Sequence, residues 1–431
     1  MNTIDPDSWA WSDRISRELA SRFLDAGRRE ELKSWAECGE WFCAQECARL
    51  LVAEERVPEA LEVLAPYLAR GNQSAVEAVA EVLEAGGRAE EAIALVRRHA
   101  KSGDRLTLAP LARLLARHGR GDEALALLRP RITDYVLAEP FVDIAWTTGR
   151  EEEAVELLVR QIEIAPRTGC CGLSCEHHSP EPFNAISLLA TIRERQGRVE
   201  EAIALLHTRD CASVNGRDQL ADLLARLGRI EELRDYAVSG YREEAVQCLV
   251  ELLEERGDVE GLVAFSRGTE EGSYARDLAA AHLAALLARQ GRHGEAIEIL
   301  RAAADAPDGA AKWIVAQLCR LYGHQGRLEE GLVLLDTVRS SWEDAEEEIF
   351  WYRLELLAAC GRIDDAVEEV RRHPEADRRY AVTRLALLLA EAGRTEQAVA
   401  VLEQGAPDLL GWRAGYLLDL GRIEEAVAVF G

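Results

Sequence analysis

The chain has 431 residues, 48% of them hydrophobic and 30% charged, with a formal net charge of −26. That apolar content excludes a disordered chain, and no apolar run reaches the ~18 residues of a membrane span. The negative charge opposes a phosphate backbone or an anionic bilayer, so neither nucleic acid nor membrane is an expected partner.

The first stretch, Met1 to Arg17, carries acids where a secretory signal would carry bases, and a cytoplasmic location is expected. Residues 1–40 read as N-terminal helices forming a capping unit. Cys38, Cys43 and Cys47 follow, the last two one helical turn apart, which reads as a small apolar core stripe rather than a metal site.

Along the chain a Gly-Arg-any-acid-acid-Ala signature recurs. It stands at Gly87, Gly119, Gly149, Gly197, Gly228, Gly291, Gly326, Gly361, Gly393 and Gly421, with weaker copies at Glu55 and Gly257 and a partial one at Gly27. From Gly87 the spacings are 28 to 35 residues, apart from one of 48. The repeat is therefore two helices long, and one insertion interrupts the array. Repeats are expected over 41–165 and 183–431, with the insertion at 166–182.

Each repeat explains itself physically. An apolar-periodic stretch such as Asp218 to Leu227 predicts a first helix, ending where Gly228 can adopt a left-handed cap. Acids then fill the first turn of a second helix, where the helix dipole favours them as solvated caps. Five residues after the glycine stands alanine, at 92, 124, 154, 202, 296, 366, 398 and 426, with Gly331, Leu233 and Leu262 as exceptions. Seven residues before it stands another small residue: Ala80, Ala112, Ala190, Ala221, Ala284, Cys319, Ala386 or Ala414. Small residues on facing helices let ridges enter grooves at ~8 to 10 Å.

The insertion holds Cys170, Cys171, Cys175, His177 and His178, bounded by Gly and Pro. Thiolates and imidazoles on a short segment suit a tetrahedral zinc ion, with Cys211 as a further ligand from the next repeat edge. The competing expectation is a surface loop without metal. Phosphate-loop, nucleophile-elbow and His-Glu-x-x-His motifs are absent, so no enzyme is expected and zinc is the one cofactor considered. The last helix, Ile423 to Phe430, ends on Val427, Val429 and Phe430; an exposed apolar end predicts a homodimer through the C-terminal repeat, unless shortened helices cover one another.

The small residue of the first helix, the turn glycine, the alanine of the second and the large apolar residue four further on, as in Ala190, Gly197, Ala202 and Leu206, resemble the tetratricopeptide-repeat family. The resemblance runs from about Trp41 to Gly431. The first-helix tryptophan and tyrosine of that family are mostly missing, although Tyr322 fits, and its closing proline is seen only at Pro166. The resemblance implies an all-α, right-handed superhelical α-solenoid of about 12 stacked helix-turn-helix repeats. It also implies a binding face on the first helices.

In that family's register the face selects Trp313, Arg320 and His324 before Gly326, Trp351 and Glu355 before Gly361, and Tyr380 before Gly393. Upstream it selects Asp218, Asp222, Glu244 and Glu251. The expected groove is acidic, with aromatics toward its C-terminal half, and fits a basic peptide with an apolar anchor. An inter-helix core position for the aromatics is the competing expectation. A non-catalytic protein- or peptide-binding scaffold is therefore the expected function. The alternatives are a zinc sensor or metal-dependent protein built on the insertion, and a peptide-responsive regulator, which the lack of a DNA-binding region at either end disfavours.

Overall fold

The computed structural model describes residues 15–100, 105–164, 182–208, 218–239, 242–270, 273–305, 312–339, 346–373, 379–406 and 408–431. Among the described residues its elements are twenty-six α-helices and one 3-10 turn. They fall into two compact units, Met1–Cys211 and Ala212–Gly431.

Unit 1 runs α1 (Arg17–Asp25), α2 (Arg29–Cys38), α3 (Trp41–Ala53), α4 (Val57–Ala69), α5 (Gln73–Ala85), α6 (Ala89–His99), α7 (Arg105–Arg117), α8 (Gly121–Leu128), α9 (Tyr135–Thr147), α10 (Glu151–Ile164), α11 (Pro182–Arg195) and α12 (Val199–His207). Unit 2 runs α13 (Gln219–Leu227), α14 (Ile230–Val238), α15 (Glu243–Glu255), α16 (Val259–Gly268), α17 (Tyr274–Arg289), α18 (His293–Ala304), α19 (Lys312–His324), α20 (Leu328–Arg339), α21 (Glu346–Ala359), α22 (Ile363–Arg372), α23 (Arg379–Glu391), α24 (Thr395–Gly405), α25 (Leu410–Asp419) and α26 (Ile423–Ala428).

Within each unit every helix packs on the next, and odd-numbered helices also touch one another, as in α1–α3–α5 and α15–α17–α19–α21. A repeated two-helix unit that cannot bury its apolar face alone gives this arrangement, because each hairpin completes the core of its neighbour. The eight alanines five residues past the turn glycine are fully buried, and so are Leu233 and Leu262 in the exceptional repeats. The small residues seven before the glycine are buried opposite them.

Each turn closes in the same way. After α13, Gly228 takes φ 69° and caps the helix, donating to Ala225 O while Arg229 N–H reaches back to Leu224 O at 3.0 Å. In the repeat where glutamate replaces the glycine, Glu55 adopts the same left-handed conformation, φ 61°. A side chain there costs ~1 kcal/mol or more that glycine would not.

The arginine after the glycine forks onto the acid three residues on. Arg88 reaches Glu91 at 2.8 and 2.7 Å, Arg292 reaches Glu295 at 2.7 and 2.6 Å, and Arg198, Arg229, Arg327 and Arg422 repeat the pairing. The second acid of the signature is thus both a first-turn dipole partner and a guanidinium acceptor. No helix among the described residues is long and apolar enough to cross a membrane.

The expected apolar C-terminal end is corrected here. After α26 the chain turns, Phe430 N–H donating to Val427 O, and Val429 and Phe430 are 8% and 6% exposed. The short last helix leaves these two side chains free to fold back and be covered, which removes the exposed surface from which a C-terminal dimer was argued.

Candidate functional site

The odd-numbered helices of unit 2 carry most of the side chains that the register selects. On α15, Glu244, Gln247, Glu251 and Glu254 follow one another at three- and four-residue steps and share a face. Asp222 on α13 accepts from the Cys248 thiol at 3.4 Å, which brings α13 against that face. The half-exposed Tyr274 opens α17; its hydroxyl is pushed above its ordinary range by burial and by Glu243, Glu244 and Glu251. Asp222, Glu244, Glu251 and Tyr274 therefore form one patch. Among the described residues, Asp222, Glu244 and Glu251 take part in no ion pair, and Glu251 accepts only from the Gln247 amide. Burial, followed by Asp222, pushes the Cys248 thiol up to about 12, so it stays protonated and inert.

One step along, Glu254 meets the His282 ring nitrogen Nδ1 and pairs with Arg289 at 2.5 Å. The α17 face otherwise offers Ala285 and Ala288. Beyond it the surface becomes aromatic. The Trp351 ring of α21 meets Tyr380 edge-on at 5.3 Å and Phe350 at 5.2 Å, and the Arg384 guanidinium lies 5.8 Å from its centroid. Arg384 also pairs with Glu355. Glu391 is raised by burial and by Glu355. Tyr380, 55% exposed, is the open member of the cluster.

Trp351, Glu355 and Tyr380 are thus brought together, as are Asp222, Glu244 and Glu251. Trp313, half-buried, and Arg320 and His324, both exposed, lie on the neighbouring α19. They make no ring contact or ion pair with either group among the described residues. Two expectations are corrected. Trp351 is 7% exposed, filling space between α21 and α23, so it is a core aromatic. Asp218 is 2% exposed and caps α13, accepting from Leu220 and Ala221 N–H at 3.1 and 3.2 Å. Helix α13 is short, so its register position falls at the helix start and not on its open face. Arg384 and Tyr274 escaped the sequence reading: Arg384 stands 9 residues before Gly393, one off the selected spacing, and Tyr274 stands 17 before Gly291, beyond the span that the register covers.

The proposed zinc ligands Cys170, Cys171, Cys175, His177, His178 and Cys211 lie outside the described residues. Among the described residues no group of three or more His, Cys, Asp and Glu is arranged to hold a metal. Cys43 is fully buried, and burial raises the Cys47 thiol to about 11, as an apolar stripe requires.

Family models described as tetratricopeptide repeat match residues 48–105, 106–130 and 380–404. The last two segments coincide with the hairpins α7–α8 and α23–α24, one in each unit. The chain carries tetratricopeptide repeats. Tyr322, at the family's first-helix tyrosine position, is fully buried in this tetratricopeptide array, with Arg301 and Arg327 each 5.4 Å from its ring centroid. No curated protein matches the sequence. Among solved structures, Naa15/Naa10 bound to HypK-THB is similar over 96% of this chain and 74% of that one, at 14% identity and TM-score 0.40. The pentatricopeptide repeat protein PPR10 from maize is similar over 96% of this chain and 66% of its own, at 14% identity and TM-score 0.35.

Proposed function

We propose that this tetratricopeptide-repeat chain is a non-catalytic protein-interaction scaffold whose unit 2 holds a basic protein segment on the odd-helix face. The observation that supports the reading is the convergence of Asp222, Glu244 and Glu251, none of which has an ion pair among the described residues. Carboxylates left unpaired on one face repel one another, and a Lys- or Arg-bearing ligand relieves that repulsion. The anchor is Tyr380, exposed and braced edge-on by buried Trp351. An amphipathic ring held rigidly beside charge is the usual make-up of a binding hot spot.

The test is fluorescence anisotropy with a labelled peptide that carries one leucine among lysines, against its glutamate counterpart. The lysine peptide binds more tightly, and raising the salt weakens it, because the contacts are exposed charges. Substituting Asp222 and Glu251 with Lys together lowers its affinity by about tenfold or more, roughly 1.4 kcal/mol. Equal binding of the two peptides, or indifference to the double substitution, overturns the reading.

A further inference from the structure

Unit 1 holds a groove of its own among its first helices. It opens between α3 and α5, beside the start of α1, with a volume of about 340 Å³. Its floor is apolar, made of Ala48, Val52, Leu64, Ala78 and Val82, of which Leu64 is fully buried. A cavity of that size is at the lower end of ligand pockets and has room for one bulky side chain.

The charges at its mouth are unequal. Glu46 on the α3 wall is 7% exposed, and its carboxylate is taken up by Arg49, from Nε at 2.8 Å and Nη2 at 2.6 Å. Glu81 on the α5 wall lies in the field of Arg117, whose own partner is Glu84. Arg17 differs from both. Its guanidinium donates to the neutral Gln45 amide at 3.1 Å and lies 5.6 Å from the Phe42 ring centroid, and it has no ion pair among the described residues. An exposed cation positioned by neutral partners at the edge of an apolar slot is matched by an anion carried next to an apolar group.

We infer that this groove is a second binding site, which takes a bulky apolar side chain from a partner protein segment carrying an aspartate or glutamate beside it, the carboxylate pairing with Arg17. The inference stands apart from the basic-segment reading of unit 2, and the two sites have opposite charge preference.

The test uses the full chain and two short labelled peptides with amidated C-termini, one with a tryptophan flanked by aspartates and the other by lysines, read by anisotropy. The aspartate peptide binds about tenfold more tightly, as a charge-assisted pair worth more than ~1.4 kcal/mol would give. Arg17→Glu and Ala85→Trp, the latter filling the groove from an exposed position, each reduce that affinity about tenfold. Arg17→Lys retains most of it, and the thermal melts of all three variants match the parent, which keeps the result separate from misfolding. Asp222→Lys with Glu251→Lys, by contrast, leaves the Arg17 sensitivity intact. Absent or equal binding of the two peptides, or unchanged affinity in Arg17→Glu and Ala85→Trp, overturns the proposal. A tenfold gain in the Trp9→Ser, Trp11→Ser variant also overturns it, since it assigns the groove to the chain's own first residues rather than to a partner.

Discussion

Between α3 and α5 of unit 1 the odd helices stand far enough apart to leave a groove of about 340 Å³. Between α19 and α21 of unit 2 they meet so closely that a Cβ on Gly323 would lie 2.4 Å from the Ala359 Cβ. Both places use the same hairpin, the same left-handed turn, at Glu55 and at Gly326, and the same buried small residues. What differs is one or two side chains on the layer that the hairpin core does not constrain. A repeat therefore determines its own packing closely and its open face loosely.

The comparison is most exposed to Trp351. If the α21–α23 seam is closed as described, Trp351→Ala costs about 3 to 5 kcal/mol of stability, since it empties a buried site. Tyr380→Ala, by contrast, changes denaturant-unfolding stability by about 1 kcal/mol or less, because its ring is largely open. A smaller effect is expected at the α19–α21 seam. Gly323→Ala forces two helices apart and costs about 1 to 3 kcal/mol, whereas Ala85→Trp beside the unit 1 groove is tolerated. Equal penalties for the two would abolish the distinction between seam and groove.

Next comes a gain. Glu55→Gly raises stability by about 1 kcal/mol, read as a higher melting temperature, because the left-handed backbone at that turn no longer strains a side chain.

The smallest effects are in pH dependence, and they carry opposite signs in the two units. Burial alone would raise the Glu84 carboxyl of unit 1, but bonds from Arg117 and His118 outweigh it and hold it below its ordinary value of 4.5. Its contribution is present above pH 4.5 and is lost as pH falls through the lower folded value, so Glu84→Gln matters at neutral pH and not in strong acid. Asp218 of unit 2 is raised above its ordinary 3.8 by burial, against the bonds from Ala221 and Leu220 N–H. The charged form is the disfavoured one, and stability declines as pH rises from 3.8 through the folded value. Asp218→Asn keeps the cap and removes that decline. Melts of both variants between pH 3 and 7 check the signs.

The frame was legible in the sequence because it rests on local rules. The glycine period marked where a left-handed cap must fall, even predicting the turn at Glu55, and the alanine positions marked the buried contact of each hairpin. The open face was only partly legible. A register position names a side of a helix, but it does not say where the helix begins, which is why Asp218 became a cap. Nor does it say whether a large ring will turn inward, which is why Trp351 became core. The groove in unit 1 was legible only in part: Gln45, Arg49 and Val52 stand 10, 6 and 3 residues before Glu55, on the binding register, but its apolar floor arises from the spacing between α3 and α5. Val429 and Phe430 read as exposed because a linear pattern contains no reverse turn after the last helix.

The arginine fork at each turn bears on how such an array changes length. Arg88 with Glu91, Arg292 with Glu295 and Arg422 with Glu425 each close within their own hairpin. A hairpin copied or deleted as a block takes its counter-charge with it and leaves no stranded guanidinium at the junction. Some contacts that cross hairpins, such as Arg120 to Glu90 and Arg394 to Asp364, use exposed carboxylates that water can satisfy instead, whereas Glu84 with Arg117 and Glu254 with Arg289 are part-buried and tie neighbouring hairpins together. Gene duplication can then lengthen or shorten the chain by whole hairpins without first inventing a new charge pattern, and each added copy begins as a neutral substrate on which the open face can diverge.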